Sequence, residues 1–550
     1  MTSISVDTRR KHSSSDVFAV FGFLALLILF YPELFIAKAA SLKGDHWEQH
    51  YPWAFYMAQS LKQGIWPFWT SLIQCGFPIA AESQMGLFYL PNLLLYSFLP
   101  FQWAYAYMNL FHFFIAGLGT YLYCRKMGLT PLGAFVAGSI FVFGTGYGGA
   151  YYNITSLKTI AWFPWILWSF EVFEASLKKR YVFLTAFFIS LSVLAGYLQV
   201  AVLALGIGSV YFLLRLFFFT EAGKSMPFRF GVAAWMAIAI VIAVLVSLPQ
   251  LFLTAELATF SNRADLSEGY AYVGSLAPMA LLTLVFPKLQ GIFRGSCIYS
   301  GIFSIYFIAA AFFAVDKNRR RMLWLWLTVG IISLLLALGQ WSPLYLGLIK
   351  LTRFYAFRIP AKFVIFLCFS LAVLGGAGID VWRIELMAGG DRLRTLNKFF
   401  LRLMGAMLAI WVFVYVVFTA GRSWVVRIGQ WLVIQFIYGK PGRPRTLDGY
   451  FSAVDSFADL IRDMLTIRNP WQIWALILIG CGFAWVWFMS RVARRPRNML
   501  LYLSLAMTIL GVDLYVFAMT DIKKDFDDFQ NVLKVNPAVQ ILLDEKESGR

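Results

Sequence analysis

Long runs of apolar residues alternate with short polar segments along almost the whole chain. An α-helix rises about 1.5 Å per residue, so roughly 20 apolar residues cross about 30 Å of hydrocarbon. The pattern predicts an all-α polytopic membrane protein with about thirteen transmembrane helices. The predicted spans are 17–37, 103–124, 131–150, 157–176, 181–197, 199–218, 230–253, 297–315, 322–340, 363–382, 399–419, 471–491 and 498–518.

Two apolar stretches need a separate interpretation. Residues 180–220 are long enough to form one helix, but Gly196 interrupts them and favours two spans joined by a tight hairpin at the membrane face. The run 86–99 is broken by Pro91 and is too short to span, so it is predicted to be re-entrant or interfacial.

Composition agrees with this fold class. The 550-residue chain is 60% hydrophobic and only 14% charged, with a mean hydropathy of +0.69, which excludes an ordinary soluble domain. Residues 1–520 are predicted to form one transmembrane domain with outer loops at 39–102 and 420–470, followed by a short outer tail at 521–550. The sequence contains no P-loop, GxSxG or HExxH motif, so any chemistry is expected on the outer face.

Charge placement predicts the orientation. Basic residues are concentrated in every second loop, for example at 9–11, 178–180 and 319–321, as the positive-inside rule requires of cytoplasmic loops. The amino terminus is therefore predicted to be cytoplasmic, and an odd number of spans places the carboxyl terminus outside. The first span lacks a small-residue cleavage site and is predicted to persist as a signal anchor.

The first outer loop carries acidic residues among aromatic ones, directly after the first span. Asp45 precedes the sequence HWEQHYPWAFYMAQSLKQG, which is typical of an amphipathic interfacial helix with its aromatic side chains toward lipid. Aspartate is a strong N-cap residue, and a capped carboxylate is held rigidly, as a general base requires. We therefore expect Asp45 to be catalytic, and a solvated acid that only caps the helix is the alternative.

His46, Glu48 and His50 follow in the same loop and raise the question of a metal site. A helix would place the two histidines on one face, but their spacing alone indicates a metal only weakly, and interfacial histidines are favoured. No metal-binding residue and no definite cofactor is predicted. A divalent cation, Mg²⁺ or Mn²⁺, held by one carboxylate and a substrate phosphate is the open alternative.

Arg358 and Lys362 lie four residues apart near the outer end of a predicted span. A guanidinium binds phosphate oxygens in pairs and an ammonium adds a point charge, so the two residues suit a phosphate. Snorkelling to lipid headgroups is the alternative. Glu82, just before the short apolar run, is either a ligand for a polar substrate or a solvated acid.

Four further residues in the outer segments are candidates for substrate binding. Glu256 lies close enough to the membrane to need a partner, and Arg263 is the predicted one. A structural ion pair is favoured over sugar binding for these two residues. Asn153 and Gln199 occupy short outer turns, where their amides would bind sugar hydroxyls or satisfy helix ends.

Five segments occur in order along the chain. They are GDHWEQHYPW, GIWPFWTSLIQCGFPIAAESQMGLFYLPN, AGYLQ, PQLFLTAELATFSNR and FRIPAKF. This ordered set resembles the YfhO-like family of bacterial membrane proteins, which belongs with the GT-C type glycosyltransferases. The resemblance implies a GT-C-like fold in a bacterial cytoplasmic (inner) membrane, with Asp45 as the catalytic acidic residue of the first loop. Arg358 would belong to the Arg-containing motif that the family carries before a late span.

The residues and the resemblance agree on one activity, the transfer of a sugar from a polyprenyl-phosphate-linked donor to an envelope glycan, lipid or protein. Such a transfer, expected to be inverting, needs a base for the acceptor hydroxyl and cations for the departing phosphate, but no second carboxylate. A transporter or flippase of lipid-linked saccharides is the alternative, and a non-catalytic assembly subunit is a third. Membrane lipids are expected partners, and no nucleic-acid partner is predicted.

Overall fold

Most of the described chain is helical, and its sheet content is one short pair of strands. An all-α fold follows from the long apolar runs, since backbone polar groups inside a bilayer must be bonded within their own segment. The computed structural model describes residues 14–42, 44–145, 153–219, 224–261, 268–286, 297–313, 317–352, 355–388, 391–436, 438–439, 446–466, 468–492, 499–523 and 526–529.

The α-helices are numbered in chain order. The first ten are α1 (Ser14–Phe30), α2 (Pro32–Phe35), α3 (Tyr51–Lys62), α4 (Leu90–Phe98), α5 (Phe101–Lys126), α6 (Pro131–Phe143), α7 (Ile154–Ile160), α8 (Phe163–Ser176), α9 (Arg180–Leu194) and α10 (Leu198–Phe217). The others are α11 (Met226–Thr259), α12 (Glu268–Tyr272), α13 (Ile302–Ala311), α14 (Lys317–Ala337), α15 (Pro343–Thr352), α16 (Val364–Ala388), α17 (Asp391–Thr419), α18 (Arg422–Phe436), α19 (Leu447–Leu465), α20 (Pro470–Val492) and α21 (Met499–Phe517). Short π-helical and 3₁₀ turns occur at His46–His50, Ile79–Ala81, Ser83–Met85, Pro278–Leu284, Gly339–Trp341, Pro360–Phe363 and Ala518–Ile522.

Within the described residues, six helices are long and apolar enough to cross a membrane. They are Leu198–Phe217, Met226–Thr259, Arg319–Ala337, Pro360–Glu385, Arg394–Thr419 and Leu501–Thr520. Each overlaps a predicted span. The protein is therefore an all-α, multi-pass membrane protein.

The other predicted spans overlap helices that are not among these six. Most of these helices are shorter, one predicted span is interrupted, and the span 103–124 falls within α5. Helices α1, α6, α9, α13 and the apolar part of α20 cover 10–17 residues each. The predicted span 157–176 is divided, because α7 and α8 are separated at Ala161 and Trp162. Gly196, with φ +111°, separates α9 from α10 where the hairpin was predicted. The run 86–99 forms the nine-residue α4, which is too short to span.

Two strands join the first part of the chain to the last. Strand β1 (Ala39–Ser41) follows α2 and β2 (Phe526–Asp528) follows α21, and the two pair antiparallel. Lys523 also forms a 2.6 Å ion pair with Glu33. The first loop, residues 39–102, and the segment after α21 therefore lie at the same end of the helix bundle. The sequence did not predict this sheet, because strands of three residues carry no recognisable alternation.

Helix α16 lies at the centre of the bundle, packed against α6, α13 and α14. A Cβ atom at Gly376 would lie 2.3 Å from the carbonyl oxygen of Gly133 on α6. A Cβ atom at Gly378 would lie 1.6 Å from the carbonyl oxygen of Phe307 on α13. Small residues permit such close helix packing in membranes, where van der Waals contact rather than the hydrophobic effect holds helices together. This packing positions α16, which begins at Val364, two residues after Lys362.

The predicted outer loop 420–470 contains two amphipathic helices, α18 and α19. Arg422 at the start of α18 joins them, since its Nε and Nη2 atoms donate to the two carboxylate oxygens of Asp459 at 2.7 and 2.8 Å. Ala458 and Ile461 are buried between the helices and the rest of the protein. In the described part of this segment, α18 and α19 therefore pack against each other.

Helix α11 is longer than its predicted span. Its 34 residues correspond to about 51 Å, which exceeds the roughly 30 Å of a hydrocarbon core. The predicted span, 230–253, already includes Pro249, and the helix continues beyond residue 253 to Thr259. The first loop holds the extension, because Gln250 Nε2 donates to the Ala80 carbonyl at 3.1 Å and the Thr254 hydroxyl donates to the next carbonyl at 2.8 Å.

Candidate functional site

Asp45 lies at the start of the predicted interfacial helix but does not cap it. The amides of Trp47 and Glu48 both donate to the Gly44 carbonyl at 2.9 Å, so the helical turn begins one residue earlier than predicted. Asp45 itself has helical backbone angles, and its carboxylate forms no capping hydrogen bond. The predicted N-cap is therefore wrong. The carboxylate is exposed in the first turn of the helix, where the helix dipole favours a negative charge.

The helical segment that follows Asp45 has one face buried against the rest of the protein and one exposed face. Trp47 and Phe55 are exposed, as expected of an interfacial helix with outward aromatic side chains. His46 and His50 share a face, with ring centroids 6.0 Å apart. Both histidines are buried, because this face packs on α5, where His46 Nδ1 is 3.2 Å from the hydroxyl of Tyr105.

A small cavity lies beneath this helix, and its most unusual residue is Lys158 on α7. Lys158 is only 3% exposed, and its Nζ atom donates to Asn92 Oδ1 at 3.3 Å. The Asn92 amide is oriented for this contact, since its Nδ2 atom donates to the carbonyl oxygens of Met85 and Gly86. Among the residues that the structure describes, no carboxylate forms an ion pair with Lys158. We call the group of His50, Asn92 and Lys158 the loop cavity.

His50 is the second unusual residue of the loop cavity. Its Nε2 atom is buried and has no hydrogen-bond partner in the described part of the chain. Burial lowers the pKa of His50 well below its ordinary value of 6.5, and the charges of His46 and Lys158 lower the pKa further. The space left for a water-sized molecule is about 10 Å³, roughly the volume that one water requires. The loop cavity thus holds a neutral imidazole beside a buried lysine.

Acidification below about pH 6.5 is expected to destabilise the protein through His50. The folded-state pKa of His50 is lower than its unfolded value, so the unfolded state binds more protons in this range and stability falls as the pH decreases. The measurement is the unfolding temperature between about pH 8 and about pH 5, for the wild type and for His50→Gln. The variant should show the shallower decrease. Parallel curves for the two proteins would contradict this prediction.

A second group of polar residues surrounds Lys362. The Lys362 ammonium donates to Gln199 Oε1 at 3.0 Å and to the hydroxyl of Tyr197, whose ring centroid is 4.3 Å away. Gln199 Nε2 in turn donates to the backbone carbonyl of Arg358. One amide therefore joins the turn at Gly196 to the segment that carries both predicted phosphate ligands. We call Tyr197, Gln199, Arg358 and Lys362 the amide cluster.

The segment between the two cations is held in a strained conformation. Ile359 has φ +62°, in the left-handed region that β-branched residues rarely adopt, and its amide donates to the Val273 carbonyl at 2.6 Å. Such strain persists only where surrounding contacts impose it, and it is concentrated at functional sites. The Arg358 side chain is exposed, with its guanidinium carbon 5.9 Å from the ring centroid of Tyr270. Arg358 is thus accessible to a ligand, whereas Lys362 is partly buried.

Glu82 lies in the part of the first loop between the loop cavity and the amide cluster. Its Oε1 atom accepts a hydrogen bond from the Gln84 amide at 3.2 Å and caps a short 3₁₀ turn. This turn packs on the hairpin at Gly196, where a Cβ atom would lie 2.6 Å from the Ser83 carbonyl oxygen. Gln84 also lines the loop cavity. The first loop therefore brings the loop cavity and the amide cluster to the same end of the bundle.

The other predicted residues do not join either group. Asn153 Oδ1 accepts hydrogen bonds from the amides of Thr155 and Ser156 at 3.1 and 3.0 Å, so this amide satisfies the start of α7. Glu256 is exposed on the last turns of α11. Its predicted partner, Arg263, lies outside the described residues. The predicted ion pair between Glu256 and Arg263 therefore also lies outside them.

Sequence reasoning missed Lys158 as a site residue. The residue stands at the start of an apolar run assigned to a transmembrane span, where a lysine normally snorkels to the surface. An ionisable residue inside an apolar run is itself a signal of function, and this signal was available. Its burial, however, depends on α4 and the first loop, which no local pattern places over α7.

The chemistry available at this end of the bundle consists of an exposed carboxylate, two cations on one strained segment, and a neutral histidine beside a buried lysine. Within the described ranges, no group of three or more histidine, cysteine, aspartate or glutamate residues is arranged to hold a metal ion. The chain matches no known protein-family model, and no curated protein or solved structure matches it significantly.

Proposed function

We propose that the protein is a membrane glycosyltransferase that moves a sugar from a polyprenyl-phosphate-linked donor to an envelope glycan, lipid or protein. The proposal includes a GT-C type architecture with about thirteen crossings of a bacterial cytoplasmic membrane, and a first loop that faces outward. The observation that carries it is the amide cluster, in which Gln199 joins Lys362 to the Arg358 segment beside the loop that contains Asp45.

The proposed reaction is a single displacement at the anomeric carbon of the donor sugar. Asp45 takes the proton of the acceptor hydroxyl, the hydroxyl oxygen bonds to the anomeric carbon, and the bond from that carbon to the phosphate oxygen breaks. The electron pair leaves with the phosphate, whose growing charge Arg358 and Lys362 stabilise. Attack opposite the leaving group inverts the anomeric configuration. A glycosidase would need two flanking carboxylates instead.

The surroundings of α4 suit a lipid-linked donor. One face of this short helix carries Asn92, which belongs to the loop cavity. The opposite face carries Leu90 and Leu94, which are half exposed and line an apolar groove of about 570 Å³ together with residues of α1, α5 and α9. A long isoprenoid chain would remain in hydrocarbon along such a groove while its phosphate and sugar extend toward the first loop.

The test is mass spectrometry of lipid-linked sugars and envelope polymers from cells with and without the gene. We expect loss of the gene to leave lipid-linked monosaccharide on the outer leaflet and to remove one sugar from an envelope component. Accumulation on the inner leaflet would support the alternative, a flippase of lipid-linked saccharides. Unchanged lipids and unchanged polymers would contradict both functions.

Replacing Lys362 by Gln is expected to slow transfer about 100-fold, as loss of one donor to a developing anion usually does. The shorter amide removes the charge near the phosphate but remains able to hydrogen-bond, so folding should be retained. The rate is measured with purified protein in vesicles that contain a polyprenyl-phosphate sugar. Lys62→Gln, at an exposed lysine in the last turn of α3, is the matched control and should leave the rate unchanged. An undiminished rate for Lys362→Gln would exclude the proposed role.

A further inference from the structure

A polar cavity of about 430 Å³ lies at the end of the helix bundle opposite the first loop. Helix α5 establishes this placement, because Tyr105 near its start contacts the first loop whereas Lys126 at its end lines the cavity. About 32 Å of helix separates these two residues. Arg215, near the end of α10, also lines the cavity, whereas Gln199 of the amide cluster lies in the first turn of the same helix. The cavity is therefore separate from the candidate site.

Two buried glutamates on α8 form one wall of this cavity, Glu171 and Glu174, each with a side chain that is 3% exposed. Arg215 lies between them, with its Nε atom 3.3 Å from Glu171 and its Nη2 atom 3.8 Å from Glu174. Lys224 also pairs with Glu174, and the Tyr211 hydroxyl donates to Glu171 at 2.5 Å. Both carboxylates are thus neutralised within the protein, as buried charges require.

Two further cations line the cavity, Lys126 from α5 and Arg321 from α14. In the part of the chain that the structure describes, neither forms an ion pair with an acidic residue. Among the described residues, four basic side chains and two acidic ones line the cavity, which leaves an excess of two positive charges in one concave site. A concave site with an excess of one sign of charge concentrates ions of the opposite sign.

We propose that this cavity binds the phosphate group of an anionic ligand through Lys126 and Arg321. A guanidinium presents paired donors to phosphate oxygens and an ammonium adds a point charge, and here they approach from two different helices. This inference concerns a second site and does not depend on the proposed glycosyl transfer.

The rim of the cavity favours a phospholipid headgroup as the source of the phosphate. Phe219 and Phe228 line the cavity, and their near neighbours Phe218 and Phe230 are 77% and 59% exposed. Exposed phenylalanines beside a cationic cavity provide surface for acyl chains next to a site for the headgroup. Basic pockets between transmembrane helices are a known means of binding anionic lipids at the cytoplasmic side, where the predicted orientation places this end.

The experiment measures the unfolding temperature of the purified full-length protein in phosphatidylcholine nanodiscs. One arm adds phosphatidylglycerol to the bilayer, and the other adds inorganic phosphate to the buffer. The test variant combines Lys126→Gln with Arg321→Gln. The matched control is Arg320→Gln, because Arg320 is an exposed neighbour on α14 that does not line the cavity.

Phosphatidylglycerol is expected to raise the unfolding temperature of the wild type and of the control, and the double variant should bind it about tenfold more weakly. Stabilisation by inorganic phosphate that the double variant loses would assign the same site to a water-soluble phosphate. The proposal would be overturned if the double variant were stabilised as much as the wild type, or if Arg320→Gln lost as much stabilisation as the double variant. It would also be overturned if neither phosphatidylglycerol nor inorganic phosphate changed the unfolding temperature. The unfolding temperature of each variant in pure phosphatidylcholine shows whether the substitutions themselves destabilise the fold. The single variants Lys126→Gln and Arg321→Gln are measured in the same way.

Discussion

Asp45→Asn is expected to reduce glycosyl transfer by about 10²- to 10⁴-fold, the usual contribution of a general base. The amide is nearly isosteric with the carboxylate but cannot take the proton of the acceptor hydroxyl. Because the Asp45 side chain is exposed and caps no helix, the substitution should leave folding intact. The measurement is the initial rate of transfer by the purified variant in vesicles, with its unfolding temperature recorded alongside.

Glu48→Gln is the matched control for this experiment. Glu48 is exposed in the same helical turn as Asp45, so the control removes the same charge from the same surface. We expect it to retain nearly full activity. Near-normal turnover by Asp45→Asn would exclude Asp45 as the base, and an unchanged cellular phenotype would favour the assembly subunit. Equal losses in both variants would show that the helix needs only its overall negative charge.

The positions of the long helices were predictable, because the length and hydropathy of a segment are local properties of the sequence. Gly196 illustrates this success, since its positive φ separates two helices within one apolar stretch. The carboxyl end of α11 illustrates the limit. The predicted span ends at residue 253, whereas the helix extends to Thr259, and Gln250 and Thr254 hydrogen-bond to the first loop. Such contacts are tertiary, and no local pattern contains them.

Most residues of the candidate site were proposed from the sequence one by one, but their pairings were not. Arg358 and Lys362 were proposed from their spacing along one segment. The contact between Lys362 and Gln199 joins residues 163 positions apart, and the contact between Lys158 and Asn92 joins residues 66 positions apart. Those pairings depend on how the first loop folds against the helix ends. Sequence reasoning therefore found the charged groups on exposed segments and missed the lysine that the fold buries.

Gly378→Ala is expected to destabilise the protein by about 3 kcal/mol, at the upper end of the usual cost of overpacking. The new Cβ atom would lie 1.6 Å from the carbonyl oxygen of Phe307 and 2.4 Å from its carbonyl carbon. Both atoms belong to the backbone of α13, so no change of rotamer relieves the contact and the two helices must separate. The measurements are the folded yield and the unfolding temperature of the purified variant.

Gly206→Ala on α10 is the matched control, because no heavy atom lies within 4 Å of its new Cβ atom and alanine is the better helix former. Equal unfolding temperatures for the two variants would contradict the close contact of α13 with α16. Gly378→Ala also tests the amide cluster, since Lys362 lies in the 3₁₀ turn that leads into α16. Displacement of α16 would weaken the contact between Lys362 and Gln199. The folded fraction of the Gly378→Ala variant is therefore expected to transfer sugar more slowly, per folded molecule, than the Gly206→Ala variant.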